Sequence, residues 1–322
     1  MRAPEFWHGG GSLAASLLMP AGALYGAIGR WRRNAVTPVR VGVPVICVGN
    51  VVAGGAGKTP VALALAARLP GAWCLTRGYA GRIRAAQRVE PARDTSAEVG
   101  DEALLLARAA PTVVSADRVA GARVAAAQGA RAIVMDDGLQ NPSLAKDLSL
   151  LVVDAAYGFG NGLVMPAGPL REPVAEALAR ADAVVWLAGD EPARAGLEPA
   201  AWGKPVLVAR LEPRPEALRL NGRRVLGFAG IGRPEKFFAT LRALGAEVVE
   251  AVGFADHHAY AEDEVMALIE RAVALEAVAV TTAKDAVRLP RGARGMVEVV
   301  EVAVEFAAPE QIDALIARAV HG

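Results

Sequence analysis

Short apolar segments, many rich in β-branched residues, alternate with segments of helical periodicity along most of the chain. Apolar runs bounded by turn residues are typical of buried strands, and they occur at residues 43–49, 72–76, 112–115, 132–135 and 148–153. Helical periodicity separates these runs at residues 60–69, 101–109 and 118–128. Strands that alternate with helices favour βαβ crossovers, so we predict an α/β protein with mostly parallel sheets.

The second half of the chain repeats this alternation and indicates a second, smaller α/β unit. The predicted strands of this half lie at residues 183–187, 205–209, 225–229, 247–252, 277–281 and 297–302, and the predicted helices at 234–244, 262–275 and 309–319. Proline and glycine are frequent at residues 190–205 and 210–222, which places an approximate boundary between 205 and 220. We therefore predict an N-terminal helix at 1–35, a first α/β domain at 36–210 and a smaller C-terminal α/β domain at 211–322.

The first thirty-five residues contain an uncharged segment that suggests contact with a membrane. Residues 9–29 carry no charged side chain, and the basic sequence RWRR follows directly at 30–33. Glycine, alanine and serine lower the hydrophobicity of the segment and Pro20 interrupts it, which disfavours a spanning helix. A signal peptide is disfavoured because no clear cleavage site follows. The pattern favours a helix lying in the membrane interface, with these apolar side chains buried among lipid: Leu13, Leu17, Leu18, Leu24, Tyr25 and Ile28. An ordinary helix packed on the protein is the remaining alternative.

Composition and charge exclude several classes of protein. The chain has 35 Lys and Arg against 34 Asp and Glu, a formal net charge of +1, which argues against a globally basic nucleic-acid binder. Hydrophobic residues make up 53% of the chain, so intrinsic disorder is excluded. The two cysteines, Cys47 and Cys74, lie in apolar runs, which excludes a disulfide scaffold and favours a reducing compartment.

A glycine-rich loop with the sequence VGNVVAGGAGKTP occupies residues 48–60, between a predicted strand and a predicted helix. This strand–loop–helix context is typical of a P-loop, in which backbone N–H groups at the helix N-terminus bind phosphates. Lys58 would contact the β- and γ-phosphates, and the Thr59 hydroxyl would ligate Mg²⁺. Although Val52 stands where the strict pattern has glycine, the loop predicts a nucleoside triphosphate site formed by Gly54, Gly55, Ala56, Gly57, Lys58 and Thr59.

A pair of acidic residues follows the predicted strand at 132–135. Asp136 and Asp137 precede Gly138, at the end of a strand where ligands bind in parallel sheets. We predict that both belong to a Mg²⁺ site and do not rank one above the other. A simple Asp-Gly turn is the structural alternative.

The glycine-rich loop is one of eight motifs that occur in order along the chain. They are VGNVVAGGAGKTP at 48–60, TRGYAGR at 76–82, VGDEALLLA at 99–107, MDDGLQNP at 135–142, MPAGPLREP at 165–173, GFAGIGRPEKFF at 227–238, FADHHAY at 254–260 and TTAKDAVRL at 281–289. Together they closely resemble the tetraacyldisaccharide 4′-kinases, the lipid A 4′-kinases of Gram-negative bacteria. A P-loop alone is generic, whereas this combination is specific.

The resemblance implies ATP- and Mg²⁺-dependent phosphorylation of the 4′-hydroxyl of a tetraacylated glucosamine disaccharide 1-phosphate, a lipid A precursor. It implies two α/β/α domains, the first of them a P-loop kinase domain, with the active site between them. The chain would be a peripheral or monotopic protein at the cytoplasmic face of the inner membrane. Neither a nucleic acid nor an obligate protein partner is indicated.

The same resemblance implies roles for particular residues. Catalysis falls to Asp101, His257 and Lys58, with the histidine sharing the proton that the carboxylate removes. Asp101 could instead be an ordinary acid at a helix N-terminus. Asn141 stands where many members carry histidine. The candidates for substrate contact are the motif residues expected to face the cleft: Asn50, Arg77, Tyr79, Gln140, Asn141, Arg171 and Glu172.

Two other functions are compatible with parts of the sequence, and a third, a nucleotide-sensing structural protein, is compatible with the glycine-rich loop alone. A P-loop kinase for a soluble acceptor would need no membrane helix and would stay active after residues 1–35 are deleted. A membrane-associated P-loop ATPase switch, acting through partner binding, would hydrolyse ATP without an acceptor. The switch hypothesis does not explain why the chain contains the LREP, DHH and TTAKD motifs.

Overall fold

The structure is a computed structural model that describes residues 4–9, 12–189 and 191–321. Residues 1–3, 10 and 11 of the predicted N-terminal helix, and residue 322 of the predicted C-terminal domain, lie outside the described residues. Its strands are β1 (Val45–Gly49), β2 (Ala72–Thr76), β3 (Gln87–Arg88), β4 (Thr112–Val114), β5 (Ala132–Asp136), β6 (Leu148–Asp154), β7 (Ala183–Ala188), β8 (Val206–Pro213), β9 (Arg224–Ala229), β10 (Glu247–Gly253), β11 (Val278–Thr282), β12 (Glu298–Val300) and β13 (Val302–Phe306). Its helices are α1 (Leu13–Asn34), α2 (Lys58–Arg68), α3 (Ser96–Val99), α4 (Asp101–Ala107), α5 (Arg118–Ala127), α6 (Val174–Arg180), α7 (Pro234–Ala243), α8 (Glu262–Ala274), α9 (Ala283–Ala286) and α10 (Pro309–His321).

A large sheet has the strand order β13-β8-β7-β6-β1-β5-β2-β4-β3. The inner strands run parallel, and of the described strands only β13 and β3, at the two edges, pair antiparallel with their neighbours. Alternate side chains of β1 enter different cores because successive residues of a strand point to opposite faces. Ile46 and Val48 pack with the helices α2 and α10, whereas Val45 and Cys47 pack with α5 and α6.

A second, smaller sheet is parallel and has the strand order β10-β9-β11-β12. Helix α8 packs on one of its faces and α7 on the other. The predicted fold class, α/β with mostly parallel sheets, is therefore confirmed. The division at 1–35, 36–210 and 211–322 stays a prediction, and the structure adds that the last strand and helix of the chain return to the large sheet.

One predicted strand, at residues 297–302, is wrong as a single element. The chain forms β12 in the small sheet, leaves it at Glu301 and forms β13 in the large sheet. An apolar run indicates that its residues are buried but not in which sheet. The sequence therefore did not predict that the chain passes from one sheet to the other here. The chain passes between the sheets twice, after β8 and between β12 and β13, and these two strands of the large sheet, β8 and β13, pair antiparallel.

Contacts on two sides, outside these strands, join the small sheet to the large one. On one side, Val287 follows α9 and packs against Val99 and Ala103 beside α4. On the other, Asp154 at the end of β6 forms ion pairs with Arg233 and with Lys236, whose Nζ lies 3.1 Å from Oδ2. The small sheet is therefore held over the carboxyl ends of the large-sheet strands from two sides.

Helix α1 docks through a face of small residues. Ala15, Gly22 and Gly26 are buried, and a Cβ at Gly22 would lie 2.6 Å from the Val164 carbonyl oxygen. Among the described residues, no helix combines the length and the hydrophobicity that crossing a bilayer requires. The large apolar side chains of α1 mostly face away from the protein: Leu13, Leu17, Met19, Leu24, Tyr25, Ile28 and Trp31.

Candidate active site

The glycine-rich loop leaves β1 at the carboxyl edge of the large sheet and leads into α2. Gly57 caps α2 with a positive φ of 81°, and a Cβ there would lie 2.4 Å from Cδ1 of Leu187, so both the conformation and the space require glycine. Gly54 also has a positive φ, of 125°. The backbone N–H groups at the start of α2, from Lys58 onward, have the position that binds phosphate in P-loops.

Asn50 and Lys58 organise this loop from within. Asn50 is completely buried, its amide donates to the Val52 carbonyl at 2.9 Å, and its Oδ1 accepts from Lys58 Nζ at 3.1 Å. Lys58 also lies 3.7 Å from Oδ1 of Asp137. The structure therefore places Asn50, predicted to contact substrate, beneath the loop, where it orients the lysine.

Thr59 and Asp136 meet because β1 and β5 are neighbours, with Val48 and Asp136 in register. The Thr59 hydroxyl donates to Asp136 Oδ2 at 2.9 Å, and the buried Oδ1 of Asp136 has no hydrogen-bond partner among the residues that the structure describes. Burial and the nearby carboxylate of Glu102 raise the pKa of Asp136 well above its usual value. This carboxylate is thus short of compensating charge, as expected where a cation binds.

Asp137 has a different environment from its neighbour. Its φ is positive, 51°, and both of its carboxylate oxygens accept from Arg171, at 2.8 and 2.9 Å. Burial acts to raise the pKa of Asp137, but Lys58 and Arg171 outweigh it and hold that pKa below its usual value. Asp137 is therefore already paired with cations of the protein.

Asp101 and His257 come together across the two sheets. The Nδ1 atom of His257 lies 2.9 Å from Oδ2 of Asp101, and Asp101 is only 3% exposed. Lys284 Nζ and Arg288 Nε both lie 3.9 Å from the same oxygen. Burial alone would raise the pKa of Asp101, but His257, Lys284 and Arg288 lower it below its usual value. Asp101 is the first residue of α4, and it also faces the second sheet.

The loop at 76–82 packs against the start of α4. Gly100 has a positive φ of 88°, and a Cβ there would lie 2.5 Å from the Tyr79 carbonyl oxygen, so glycine permits this close approach. The Tyr79 ring is 63% exposed and its centroid lies 5.5 Å from that of His257. Arg77 is exposed in the same loop. Both side chains are therefore at the mouth of the cleft and accessible to a large substrate.

Three other predicted substrate residues are engaged within the protein. Gln140 Nε2 donates to the Asn50 carbonyl at 2.8 Å and to Glu172 Oε1 at 2.9 Å. Glu172 is 1% exposed and also accepts from Arg180 at 2.6 Å. Oδ1 of Asn141 accepts from the backbone and hydroxyl of Ser143. Their contact with substrate stays a prediction, and the geometry gives each a part in holding loops in place.

The sequence analysis missed two charged residues of the cleft. Burial raises the pKa of Glu102, whose carboxylate faces Lys284, Lys58 and the carboxylates of Asp101 and Asp137. Arg288, 8% exposed, donates to the Gly230 carbonyl at 2.8 Å and lies beside Asp101. Glu102 directly follows Asp101 in the VGDE motif, so the motif could have identified it. The position of Arg288 depends on how the second sheet packs against the first, which no motif shows.

Taken together, a phosphate-type loop at the edge of a parallel sheet, two acids at the end of the neighbouring strand and an Asp–His pair formed between the two sheets define a P-loop α/β protein with the parts of a phosphotransferase. A family model described as Tetraacyldisaccharide-1-P 4′-kinase matches residues 14–321. The chain therefore belongs to this family, whose activity is a step of lipid A biosynthesis.

Individual relatives agree with the family model along their whole length. The chain is 55% identical to the tetraacyldisaccharide 4′-kinase of Rhodospirillum rubrum, covering 100% of this chain and 99% of that one. It is 53% identical to that of Rhodospirillum centenum, covering 100% and 98%. A crystal structure of LpxK from Aquifex aeolicus in complex with ATP has a TM-score of 0.76 at 27% identity, covering 96% of this chain and 100% of that chain. The family and fold predicted from the motifs are confirmed.

Proposed function

We propose that this chain transfers the γ-phosphoryl group of ATP to the 4′-hydroxyl of a tetraacylated glucosamine disaccharide 1-phosphate, with Asp101 and His257 acting on the acceptor. The observation that carries the proposal is the 2.9 Å contact between these two residues at the start of α4. Helix α4 contacts α2, the helix that begins at the glycine-rich loop, and α9 of the second sheet. The contact therefore lies where an acceptor could approach a bound triphosphate.

ATP is the phosphate donor in this proposal. The related Aquifex structure was solved in complex with ATP, and the loop of this chain has the conformation-setting glycines at 54 and 57. Backbone N–H groups of residues 54–59 would hold the β- and γ-phosphates. Lys58, kept in place by Asn50, would supply positive charge where charge develops during transfer.

Mg²⁺ fits the residues present next to the loop. Thr59 offers a hydroxyl and Asp136 a buried carboxylate, one oxygen of which lacks a partner within the described part of the chain, and both supply oxygen ligands of the kind that Mg²⁺ prefers. These two residues would hold the ion, which when bound neutralises charge on the transferred phosphoryl group. Asp137, already bonded to Arg171, would act indirectly by orienting Lys58. We therefore assign the closer metal contact to Asp136.

Asp101 would take the proton of the acceptor hydroxyl. A carboxylate of low pKa is a weak base by itself, and Nδ1–H of His257 donates to Oδ2 of Asp101, which orients the carboxylate while Asp101 keeps the proton that it takes. Lys284 lies 3.4 Å from Nε2 of His257, so the second ring nitrogen also has a partner in the cleft. The ring is thereby held in an orientation that directs Nδ1 at Asp101.

The exposed residues at the cleft mouth fit the disaccharide and its 1-phosphate. Arg77 is exposed and free to turn toward an anionic group, and a guanidinium binds phosphate through paired donors. The exposed ring of Tyr79 offers a flat surface for a sugar face. We assign both residues to substrate binding.

Helix α1 would bring the chain to the inner membrane. Its exposed face carries Leu13 at 85%, Leu17 at 80% and Trp31 at 70% exposure, next to the basic residues at 30–33. Large apolar side chains with a basic end are typical of helices that lie in the bilayer interface. The acyl chains of the substrate would stay in the same membrane, while its sugars would enter the cleft at the cytoplasmic surface of that membrane.

The test is transfer of label from γ-labelled ATP to purified tetraacylated disaccharide 1-phosphate in detergent with Mg²⁺. Labelled lipid, lost in the Lys58→Ala and Asp101→Ala variants, is the expected result. Release of free phosphate without labelled lipid would instead favour an ATPase switch, and it would overturn the proposal.

A further inference from the structure

Arg30 and Arg33 both contact Glu176, Arg30 through Oε1 at 2.8 Å, and Arg33 is the least exposed arginine of the segment at 30–33. Its side chain is 12% exposed, compared with 58% for Arg30. Its guanidinium lies 2.6 Å from Oε2 of Glu176 and 3.2 Å from Oε2 of Glu172. Arg33 follows the buried residues Ala15, Gly22 and Gly26 at helical spacing, so it belongs to the docked face of α1 rather than to the exposed one.

Glu172, which Arg33 contacts, is the start of a continuous series of hydrogen bonds into the nucleotide loop. Its Oε1 accepts from Gln140 Nε2 at 2.9 Å, and the same Nε2 donates to the backbone carbonyl of Asn50 at 2.8 Å. The side chain of Asn50 in turn accepts from Lys58 at 3.1 Å. Glu172 and Asn50 are buried, so water cannot readily replace a lost partner in this series.

We propose that Arg33 is a positioning residue of the phosphate loop, so that docking of the membrane-facing helix α1 and binding of the nucleotide favour each other. The inference rests on the proposed nucleotide site. Without Arg33, the buried carboxylate of Glu172 keeps Arg180 as its cation and shifts toward it, and the Gln140 amide loses the partner that orients it. The Asn50 backbone and the lysine that Asn50 holds are then less restricted before the nucleotide binds.

Coupling of this kind is reciprocal. If docked α1 improves the affinity for nucleotide, bound nucleotide must stabilise docked α1 by the same factor. A kinase held at a membrane through α1 would thus bind ATP more tightly when that helix is seated. Arg33 would therefore couple the docking of the membrane helix to the conformation of the nucleotide loop.

The experiment compares ADP binding by the full chain in detergent micelles without lipid acceptor, using titration calorimetry with Mg²⁺. Arg33→Met is expected to weaken ADP binding by about tenfold, and Arg33→Lys to recover part of the affinity. The matched control is Arg32→Met, which removes the same charge from an exposed neighbour and should stay within about twofold of wild type. In steady-state assays, Arg33→Met should raise KM for ATP and leave KM for the lipid acceptor unchanged.

Equal ADP affinity in wild type and Arg33→Met would overturn the coupling. A change confined to KM for the lipid would overturn it too, because Arg33 would then only help to hold α1 against the protein. A wild-type chain that fails to bind ADP would overturn the nucleotide site itself and the coupling with it. Should Arg33→Met not fold, hydrogen exchange of the wild type decides the question. ADP is expected to slow exchange in the last turns of α1, and unchanged exchange there would refute the proposal.

Discussion

His257 and Asp101 lie 156 positions apart in the chain, yet Nδ1 of the histidine is 2.9 Å from Oδ2 of the aspartate. The aspartate begins α4 beside the large sheet, and the histidine follows β10 of the small sheet. His257 has a positive φ of 61°, a conformation that residues other than glycine rarely adopt. The pair therefore exists only while the two sheets are held against each other.

Removing the carboxylate charge should test Asp101 as the base. Asp101→Asn keeps the size of the side chain and is expected to lower kcat by about 10²–10⁴-fold while leaving KM for ATP nearly unchanged. Steady-state kinetics with the lipid acceptor measure both. Asp263→Asn, an exposed acid in the first turn of α8, is the matched control. Loss of ATP affinity without loss of kcat would contradict the assignment.

His257 should act through Asp101 and not independently of it. His257→Ala is expected to lower kcat by about 10²-fold, and the double variant with Asp101→Asn should be little slower than Asp101→Asn alone. Two residues that act as a unit give such non-additive effects. Additive losses in the double-mutant cycle would separate their roles.

The hydroxyl of Thr59 should set the requirement for Mg²⁺. Thr59→Val removes that hydroxyl at nearly constant volume, and the Mg²⁺ concentration for half-maximal activity is expected to rise by about tenfold. Thr59→Ser keeps the hydroxyl and should behave like the wild type. Activity is measured at fixed ATP over a Mg²⁺ series, and identical curves for valine and serine would exclude Thr59 from the metal site.

Asp154 should stabilise the chain by joining the two sheets through Arg233 and Lys236. Burial acts to raise the pKa of Asp154, but the two cations outweigh it and hold that pKa below its usual value. Asp154→Asn is expected to cost on the order of 1 kcal/mol at pH 7, which corresponds to a Tm lower by about 2 °C.

The pH dependence of that difference follows from the direction of the shift. A carboxyl with a lowered pKa in the folded state stabilises the fold above its unfolded pKa of about 3.9 and loses this effect as the pH falls further. The Tm difference should therefore be the same at pH 7 and pH 5 and shrink below about pH 4. Asp313→Asn, which removes an exposed ion pair with Arg68, should change Tm little at any pH.

The exposed apolar face of α1 should determine binding to membranes. Leu17→Glu and Leu24→Glu are each expected to weaken co-sedimentation with vesicles containing anionic lipid by at least about tenfold, because each removes a leucine from the bilayer interface. Val273→Glu alters a residue of similar exposure on α8 and is the control. Kinase activity toward detergent-dispersed lipid should survive in all three variants, and unchanged sedimentation of the leucine variants would show that α1 does not mediate attachment.

Much of the fold could be predicted because its signals are local. The buried strands β1, β2 and β5 were located within a few residues by their apolar runs, and the long helices by their periodicity. The two-residue strand β3 and the short helix α6 were missed because they are too short for a periodic pattern. The strand predicted at 297–302 was wrong because hydrophobicity does not distinguish the two sheets that share it.

The sequence by itself determined the strand, the glycine-rich loop and the helix that begins with Lys58 and Thr59, because conformations such as the positive φ of Gly57 depend on a few adjacent residues. Tertiary structure alone decided how Asp136 and Asp137 differ. The register of β1 against β5 brings the first to Thr59, whereas the second meets Arg171 from a distant loop. Such differences arise from contacts between residues far apart in the chain, which no local pattern of side chains records.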